Sequence, residues 1–114
     1  MSTQQRTIDY LTDQLSFASQ ITTRKMFGEY AIYSGGKVVA FVCDDELFVK
    51  PTDAGKKFLK EVEEKPAYPG SKMYYWIFGD KWDDAEWLSE LITITANDLP
   101  EPKPKKMKRK AAKP

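Results

Sequence analysis

The sequence predicts an α+β fold with an antiparallel sheet of four to five strands. Three observations lead to this prediction: three short apolar runs separated by turn residues, an amphipathic helix pattern on each side of them, and an aromatic strand followed by a third helix pattern. Helices segregated from a run of sequential strands are typical of this class. We therefore expect the order helix, three-strand meander, helix, strand pair, helix.

The composition is typical of one soluble globular domain. The chain has 114 residues, of which 41% are hydrophobic and 31% are charged, and this length suffices to bury a single core. The absence of histidine removes the commonest general base and the commonest transition-metal ligand. The first residues show no basic segment followed by an apolar run, so we expect a cytoplasmic protein without a secretory signal or a membrane span.

The amino-terminal segment predicts an amphipathic helix over roughly residues 3–19. Apolar side chains recur there at helical spacing, and polar side chains fill the opposite face. The β-branched segment 21–23 is expected to lead the chain into the first strand. The apolar positions of this helix are Ile8, Leu11, Leu15 and Ala18.

A three-strand meander is predicted between Arg24 and Pro51. Gly35 and Gly36 suit a two-residue hairpin, because both central positions of such a turn take a positive φ. Gly28, within the first apolar run, indicates a bulge or a close backbone approach. The apolar runs cover residues 27–33, 38–43 and 47–49, and the connections cover residues 34–37 and 44–46.

The second half of the domain predicts a helix, a strand pair and a last helix. Thr52 is expected to cap the second helix, and Asp83 the third. A very short strand at 66–68 and a longer aromatic strand at 72–77 lie between them, with solvated charge before them. The predicted buried stripes are Ala54, Phe58, Leu59 and Val62 in the second helix, and Trp87, Leu88, Leu91, Ile92 and Thr95 in the third.

Positions spread over the meander form a recognisable motif. They are Arg24, Met26, Phe27, Gly28, Tyr30, Gly36, Phe41, Leu47 and Lys50. With the later run Met73-Tyr74-Tyr75 and the tryptophan-bearing last helix, the pattern resembles the N-terminal domain of the TfoX/Sxy family, known as regulators of competence genes. The resemblance extends from the first helix to Leu99.

This resemblance implies a two-layer αβββαββα fold with the helices mainly on one face of the sheet. It also implies a non-enzymatic regulatory domain that acts in bacterial transcription regulation through protein contacts. Full-length regulators of the family carry a second, helical C-terminal domain, which has no counterpart in these 114 residues. We expect a domain at residues 1–99 and a tail at residues 100–114.

A small enzyme of unknown type is the remote alternative. Ser34 and Lys37 match the S-x-x-K pattern of some serine acyl-transfer enzymes, but they stand in a predicted hairpin turn. The single cysteine, Cys43, is expected to act as a small buried hydrophobe. No metal-binding cluster or phosphate-binding glycine loop is visible, so we predict no cofactor, no metal and no small-molecule ligand.

Both faces of the predicted sheet are apolar. Because strand residues alternate, Tyr74 and Trp76 lie on the face opposite Tyr75 and Ile77. Helices on one side would leave the face of Tyr74 and Trp76 for a protein partner, a second copy of the chain in a homodimer, or the tail. The alternative is that the strands curl around the core and bury both faces.

Residues 100–114 carry a charge opposite to that of the preceding domain. The tail has seven basic residues and one acidic residue, a net charge of +6, while the first 99 residues carry −5. A segment so rich in lysine and proline is expected to be disordered. It could bind nucleic acid without sequence preference, an alternative function, through Lys103, Lys105, Lys106, Lys108, Arg109, Lys110 and Lys113.

If the tail binds duplex DNA, the affinity of the full chain should fall steeply between low and physiological salt. Each phosphate neutralised contributes a slope of roughly −0.9 in log affinity against log salt. A salt titration of residues 1–114 beside residues 1–99 measures this slope. Equal affinities of the two chains would exclude a role of the tail in DNA binding.

Overall fold

The computed structural model describes residues 3–18, 20–26 and 28–100, which form one antiparallel sheet of six strands with three helices on one side. The α+β class is confirmed, and the sheet has one strand more than the largest number predicted. Its strand order is β1-β2-β3-β4-β6-β5. The elements are α1 (Gln5–Gln14), β1 (Ile21–Met26), β2 (Glu29–Ser34), β3 (Lys37–Cys43), β4 (Glu46–Val49), α2 (Asp53–Leu59), β5 (Glu64–Pro66), β6 (Met73–Ile77), a 3₁₀ helix (Gly79–Asp83) and α3 (Ala85–Asp98).

The strand that sequence reasoning missed is β1. Residues 21–23 were expected only to lead into the meander, but β1 pairs with β2 over its whole length, from Ile21 opposite Ser34 to Met26 opposite Glu29. Five of its six residues are exposed, so no apolar alternation revealed it. Gly28 lies between these two strands with a φ of 82°. Of the two alternatives predicted at Gly28, the bulge is not found, because the register shift falls between Ile32 and Tyr33. The close backbone approach is found, because the carbonyl of Gly28 accepts a hydrogen bond from the amide of Thr3 at 3.0 Å.

The edge strand β5 also differs from the prediction. The short strand was expected at residues 66–68, after solvated charge, but Glu64 pairs with Tyr75 and Lys65 pairs with Tyr74. Charged side chains suit an edge strand because they discourage pairing with another chain. The helix α2 ends at Leu59, so Val62 packs against the core from the following loop.

Side-chain hydrogen bonds cap the starts of α2 and α3. The Thr52 hydroxyl accepts a hydrogen bond from the amide of Gly55, which confirms the predicted cap of α2. The cap of α3 is Asp84, whose carboxylate accepts from the amide of Trp87 at 3.1 Å, so the prediction of Asp83 was wrong by one residue. Asp83 ends the 3₁₀ helix and accepts a hydrogen bond from the hydroxyl of Tyr10.

A turn of the sheet holds the start of α1. The carboxylate of Asp45, in the β3–β4 turn, accepts hydrogen bonds from the amide of Gln4 at 2.9 Å and from the hydroxyl of Thr7 at 2.7 Å. The side chain of Gln4 makes no cap of its own. These bonds lower the pKa of Asp45, that from Gln4 most strongly. The helix is shorter than the predicted residues 3–19.

The core lies between the helices and one face of the sheet. All three helices pack against the same cluster, which takes Tyr30 and Ile32 from β2, with inward-facing side chains from β3, β4 and β6. The predicted stripe of α3 is confirmed except at Trp87. That side chain is only half-buried, and its ring packs on Phe58 of α2 with the centroids 5.7 Å apart. The residues that α3 buries are Leu88, Ser89, Leu91, Ile92, Thr95 and Ala96.

The substitution Leu91→Ala should lower the free energy of unfolding by about 2–5 kcal/mol, because it leaves a cavity where a fully buried side chain stood. Chemical denaturation measures this change. The matched control is Glu90→Ala on the exposed side of the same helix, which should stay within about 0.5 kcal/mol of the wild type. Equal losses for both variants would contradict the assignment of the core.

Candidate interaction surface

The sheet face opposite the helices, here called the open face, carries a straight row of side chains across five strands. Arg24 on β1 pairs with Ala31 on β2, which pairs with Phe41 on β3. Phe41 pairs with Phe48 on β4, and Phe48 pairs with Trp76 on β6. Residues that are directly paired share a face of the sheet. The row therefore places one arginine and three aromatic rings on the face that no helix covers, with the ring of Phe48 buried beneath its neighbours.

A second, smaller apolar cluster forms on the open face. Cys43, Phe48 and Ala67 are buried in it, and Phe41, Tyr74 and Trp76 pack around them half-buried. The rings of Phe41 and Tyr74 meet edge to face with centroids 5.5 Å apart. The face is thus covered in part by its own rings and in part by the loop after β5. It remains apolar at its surface, because exposed and half-buried rings form its outer layer.

Charged groups border this cluster on the side of β5. The ammonium group of Lys65 lies 4.2 Å from the ring centroid of Trp76 and 3.0 Å from the carboxylate of Glu46. A cation over an indole ring is attracted by the electrons of the ring face. Lys65 therefore covers one face of the Trp76 ring and ends the apolar surface on this side.

The open face contains a cavity of about 450 Å³. Glu29 brings a carboxylate to an otherwise largely apolar wall. Tyr68 closes one side, and its loop is held by the hydroxyl of Ser71, which accepts a hydrogen bond from the amide of Ala67 at 2.9 Å. The residues lining the cavity are Met26, Glu29, Tyr30, Phe41, Cys43 and Tyr68.

One carboxylate, that of Glu29, lines the cavity, and Asp44 directly follows the lining residue Cys43 in the chain. One oxygen of Glu29 accepts hydrogen bonds from the hydroxyl of Thr3 at 2.7 Å and from the amide of Asp44 at 3.0 Å. Burial raises the pKa of the Cys43 thiol to about 11, and the charges of Glu29 and Asp44 add to this effect. An apolar hollow beside fixed negative charge is suited to an apolar group flanked by cations.

Two further depressions lie beyond the cavity, and only the nearer one shares a lining residue with it. The nearer one, about 460 Å³, extends from Lys50 along Ser71 and Tyr74 to Tyr68, which also lines the cavity. The farther one, about 320 Å³, is lined by Gly36, Lys37, Val38, Lys50, Leu99 and Pro100. Lys50 lines both of these depressions, so shared lining residues link the end of the described chain to the cavity step by step.

The motif residues divide between the two faces. Arg24, Met26 and Phe41 lie on the open face, and the last two line the cavity. Tyr30 and Leu47 belong to the core, Gly36 stands in a turn with a φ of 85°, and Lys50 follows β4. Phe27 lies outside the described residues, as do the seven basic residues of the tail.

The alternation of side chains in β6 is as predicted, but the cavity was not predicted from the sequence. Tyr74 and Trp76 lie on the open face, while Tyr75 and Ile77 face the core. Met73, at the start of the same strand, is exposed. Tyr68 and Glu29 were not singled out in the sequence, since only the fold brings segments 26–29, 41–43 and 67–72 together.

The remaining chemical candidates have structural roles. The ammonium group of Lys37 donates hydrogen bonds to the carbonyl oxygens of Ala96 at 2.7 Å and Leu99 at 3.1 Å, at the end of α3. A cation there compensates the unpaired carbonyl groups of the helix. Within residues 3–18, 20–26 and 28–100, no group of three or more acidic or thiol side chains is placed to hold a metal ion. No helix in these ranges is long and apolar enough to cross a membrane.

Comparison with known proteins gives two matches. Residues 13–98 match the family model described as the TfoX N-terminal domain. A protein of Spirochaeta aurantia described as "Uncharacterized 12.7 kDa protein in trpE 5'region" is 42% identical over 101 residues, which cover 89% of this chain and 87% of that protein. The similarity therefore extends over nearly the whole length of both chains.

The Cys43 thiol should react with iodoacetamide slowly at about pH 7.5, on the order of a hundredfold more slowly than in the denatured chain. A pKa of about 11 leaves little thiolate at that pH. The rate should keep rising as the pH approaches 11. Measured alkylation rates over this pH range test the assignment, and a plateau near the pH where an ordinary cysteine ionises would contradict it.

Proposed function

This chain belongs to the TfoX N-terminal domain family, and we propose that it is a non-enzymatic regulatory domain that acts through protein contacts on the open face of its sheet. The regulatory, competence-type character is that of the family. Bacterial transcription regulation is the finer role that we propose for this chain. Such a role would be carried out in the cytoplasm.

The observation that carries this proposal is the aromatic row on the face that no helix covers. Aromatic residues, methionine and arginine are enriched at protein interfaces, and the anchors of interfaces are mostly tryptophan, tyrosine and arginine. The open face combines Arg24, Trp76 and Phe41 in one row. Tyr68 adds exposed apolar area beside it.

The proposed partner is another protein chain, and a second copy of this chain is the simplest case. The strands carry apolar side chains on both faces. The helices bury one face, and an apolar partner would bury the other. The half-buried rings of Tyr74 and Trp76 still have area to lose to a partner.

Nucleic-acid binding by residues 100–114 is the second candidate. It is favoured by the separation of charge along the sequence, +6 in the tail against −5 before it. Flexible polycations bind phosphate backbones without reading bases. This role would add affinity for DNA to a domain whose specificity comes from its protein partner.

The substitution Tyr74→Glu should abolish partner binding without unfolding the domain, because it places an unpaired charge in the centre of the apolar face. Light scattering at micromolar concentration measures self-association. Affinity capture with the wild-type and variant chains, followed by binding measurements with each purified candidate, measures contact with other proteins.

The matched control is Phe17→Glu, which changes an exposed aromatic residue after α1, away from the open face. It should leave both readouts unchanged. If the wild type is monomeric and every captured protein binds Tyr74→Glu as tightly as the wild type, the open face is not the interface. Unchanged transcript levels after deletion of the gene would argue against the regulatory role itself.

A further inference from the structure

The cavity of the open face fits a segment of this same chain. We propose that residues 101–114 fold back onto the open face, with the side chain of Met107 in the cavity and the neighbouring lysines against the carboxylates at its rim. This docking is intramolecular and requires no partner. Its consequence for regulation, drawn below, rests on the proposed function.

The walls of the cavity define the chemistry of the occupant. Phe41 and Tyr68 offer aromatic surfaces, and Met26 and Cys43 add soft apolar ones. Methionine fits irregular apolar hollows, and its sulfur makes favourable contacts with aromatic rings. The carboxylate of Glu29 at the same wall selects against an anionic neighbour. The fitting occupant is therefore an apolar side chain in a positively charged peptide.

Residues 101–114 have this composition. Met107 is the one large apolar residue among them, and Lys106 and Lys108 flank it directly, followed by Arg109 and Lys110. Lysine side chains can lay their methylene stems on apolar surface while the ammonium group reaches outward to a carboxylate. With Met107 in the cavity, the flanking lysines come within reach of Glu29 and Asp44.

The length of the segment matches the distance it must cover. Pro100 lies in the depression that also contains Val38, and Val38 and Cys43 are five positions apart on β3, about 17 Å at the rise of a strand. The seven residues from Pro100 to Met107 span up to about 23 Å when extended. The extended segment is thus longer than the separation of these two positions along β3.

The order of charges in residues 101–114 agrees with a path from Pro100 toward the cavity. The path leads from Pro100 past Lys50 to Tyr68 and the cavity. The one acidic residue of the segment, Glu101, comes first and would pass Lys50. The basic residues come later and would meet Glu29 and Asp44. Opposite charges thus meet at both ends of the path.

A docked tail would cover the cavity and Phe41. Any protein that binds this part of the open face would have to displace it, and duplex DNA that binds the basic residues would release it. The proposed docking therefore predicts that the tail and a protein partner compete for this part of the open face.

Methyl NMR of the full chain with ¹³C-labelled methionine methyl groups tests the docking. The Met107 methyl resonance should shift upfield because of the rings of Phe41 and Tyr68, and it should show nuclear Overhauser contacts to both rings and to the Met26 methyl. The substitution Met107→Ser identifies the resonance and should remove these contacts. High salt should weaken the docking because it screens the charges.

The matched charge variants are Asp44→Asn and Asp13→Asn. Asparagine tolerates the φ of 54° at position 44, and the loss of one rim charge should reduce the docked population about two- to fivefold. Asp13, on α1, lies away from the open face, so its variant should behave as the wild type. Equal effects of both variants would contradict a specific charge contact.

Two results would overturn the proposal. One is a Met107 methyl with the shift of an unfolded peptide and no contacts at low salt. The other is contacts seen only between differently labelled chains in a mixed sample, which would mean that the tail of a second copy fills the cavity. All these measurements use the isolated protein, so a failure of the proposed partner contact leaves them unaffected, and a failure of docking leaves the partner proposal standing.

Discussion

The register of the central strands is the constraint on which the rest of the structure depends. Because β2, β3, β4 and β6 pair directly across one another, each cross-strand row faces one side of the sheet. The row of Tyr30, Val42, Leu47 and Ile77 faces the helices, and the neighbouring row of Ala31, Phe41, Phe48 and Trp76 faces away. A slip of one residue would exchange the two rows. The core and the open face are therefore set together by the same pairing.

The pairing of the central strands explains which features could be predicted from the sequence. The alternation in β3 and β6 reveals that both faces are apolar, and it assigns Tyr74 and Trp76 to one and Tyr75 and Ile77 to the other. Thr52 is readable as a cap because its hydrogen bond to Gly55 spans only three residues. Local chemistry of this kind needs no knowledge of the fold.

The features that escaped prediction depend on distant contacts or weak local signals. The strand β1 is exposed at the edge of the sheet, so burial imposes no pattern on it. Asp83 and Asp84 are equally good caps locally, and the 3₁₀ helix that ends at Asp83 decides between them. The cavity joins Met26, Cys43 and Tyr68 from three separate segments, and no spacing in the sequence places them side by side.

The hydrogen bonds between Asp45 and the start of α1 also bear on the order in which the elements fold as the chain is synthesised. The carboxylate of Asp45 accepts from Gln4 and Thr7, some forty positions earlier in the chain. A nascent chain can form α1 as soon as its residues leave the ribosome, but these two hydrogen bonds cannot form until the β3–β4 turn follows. Contacts of such long sequence separation slow folding. The first helix of the chain is thus expected to be among the last to take its final place.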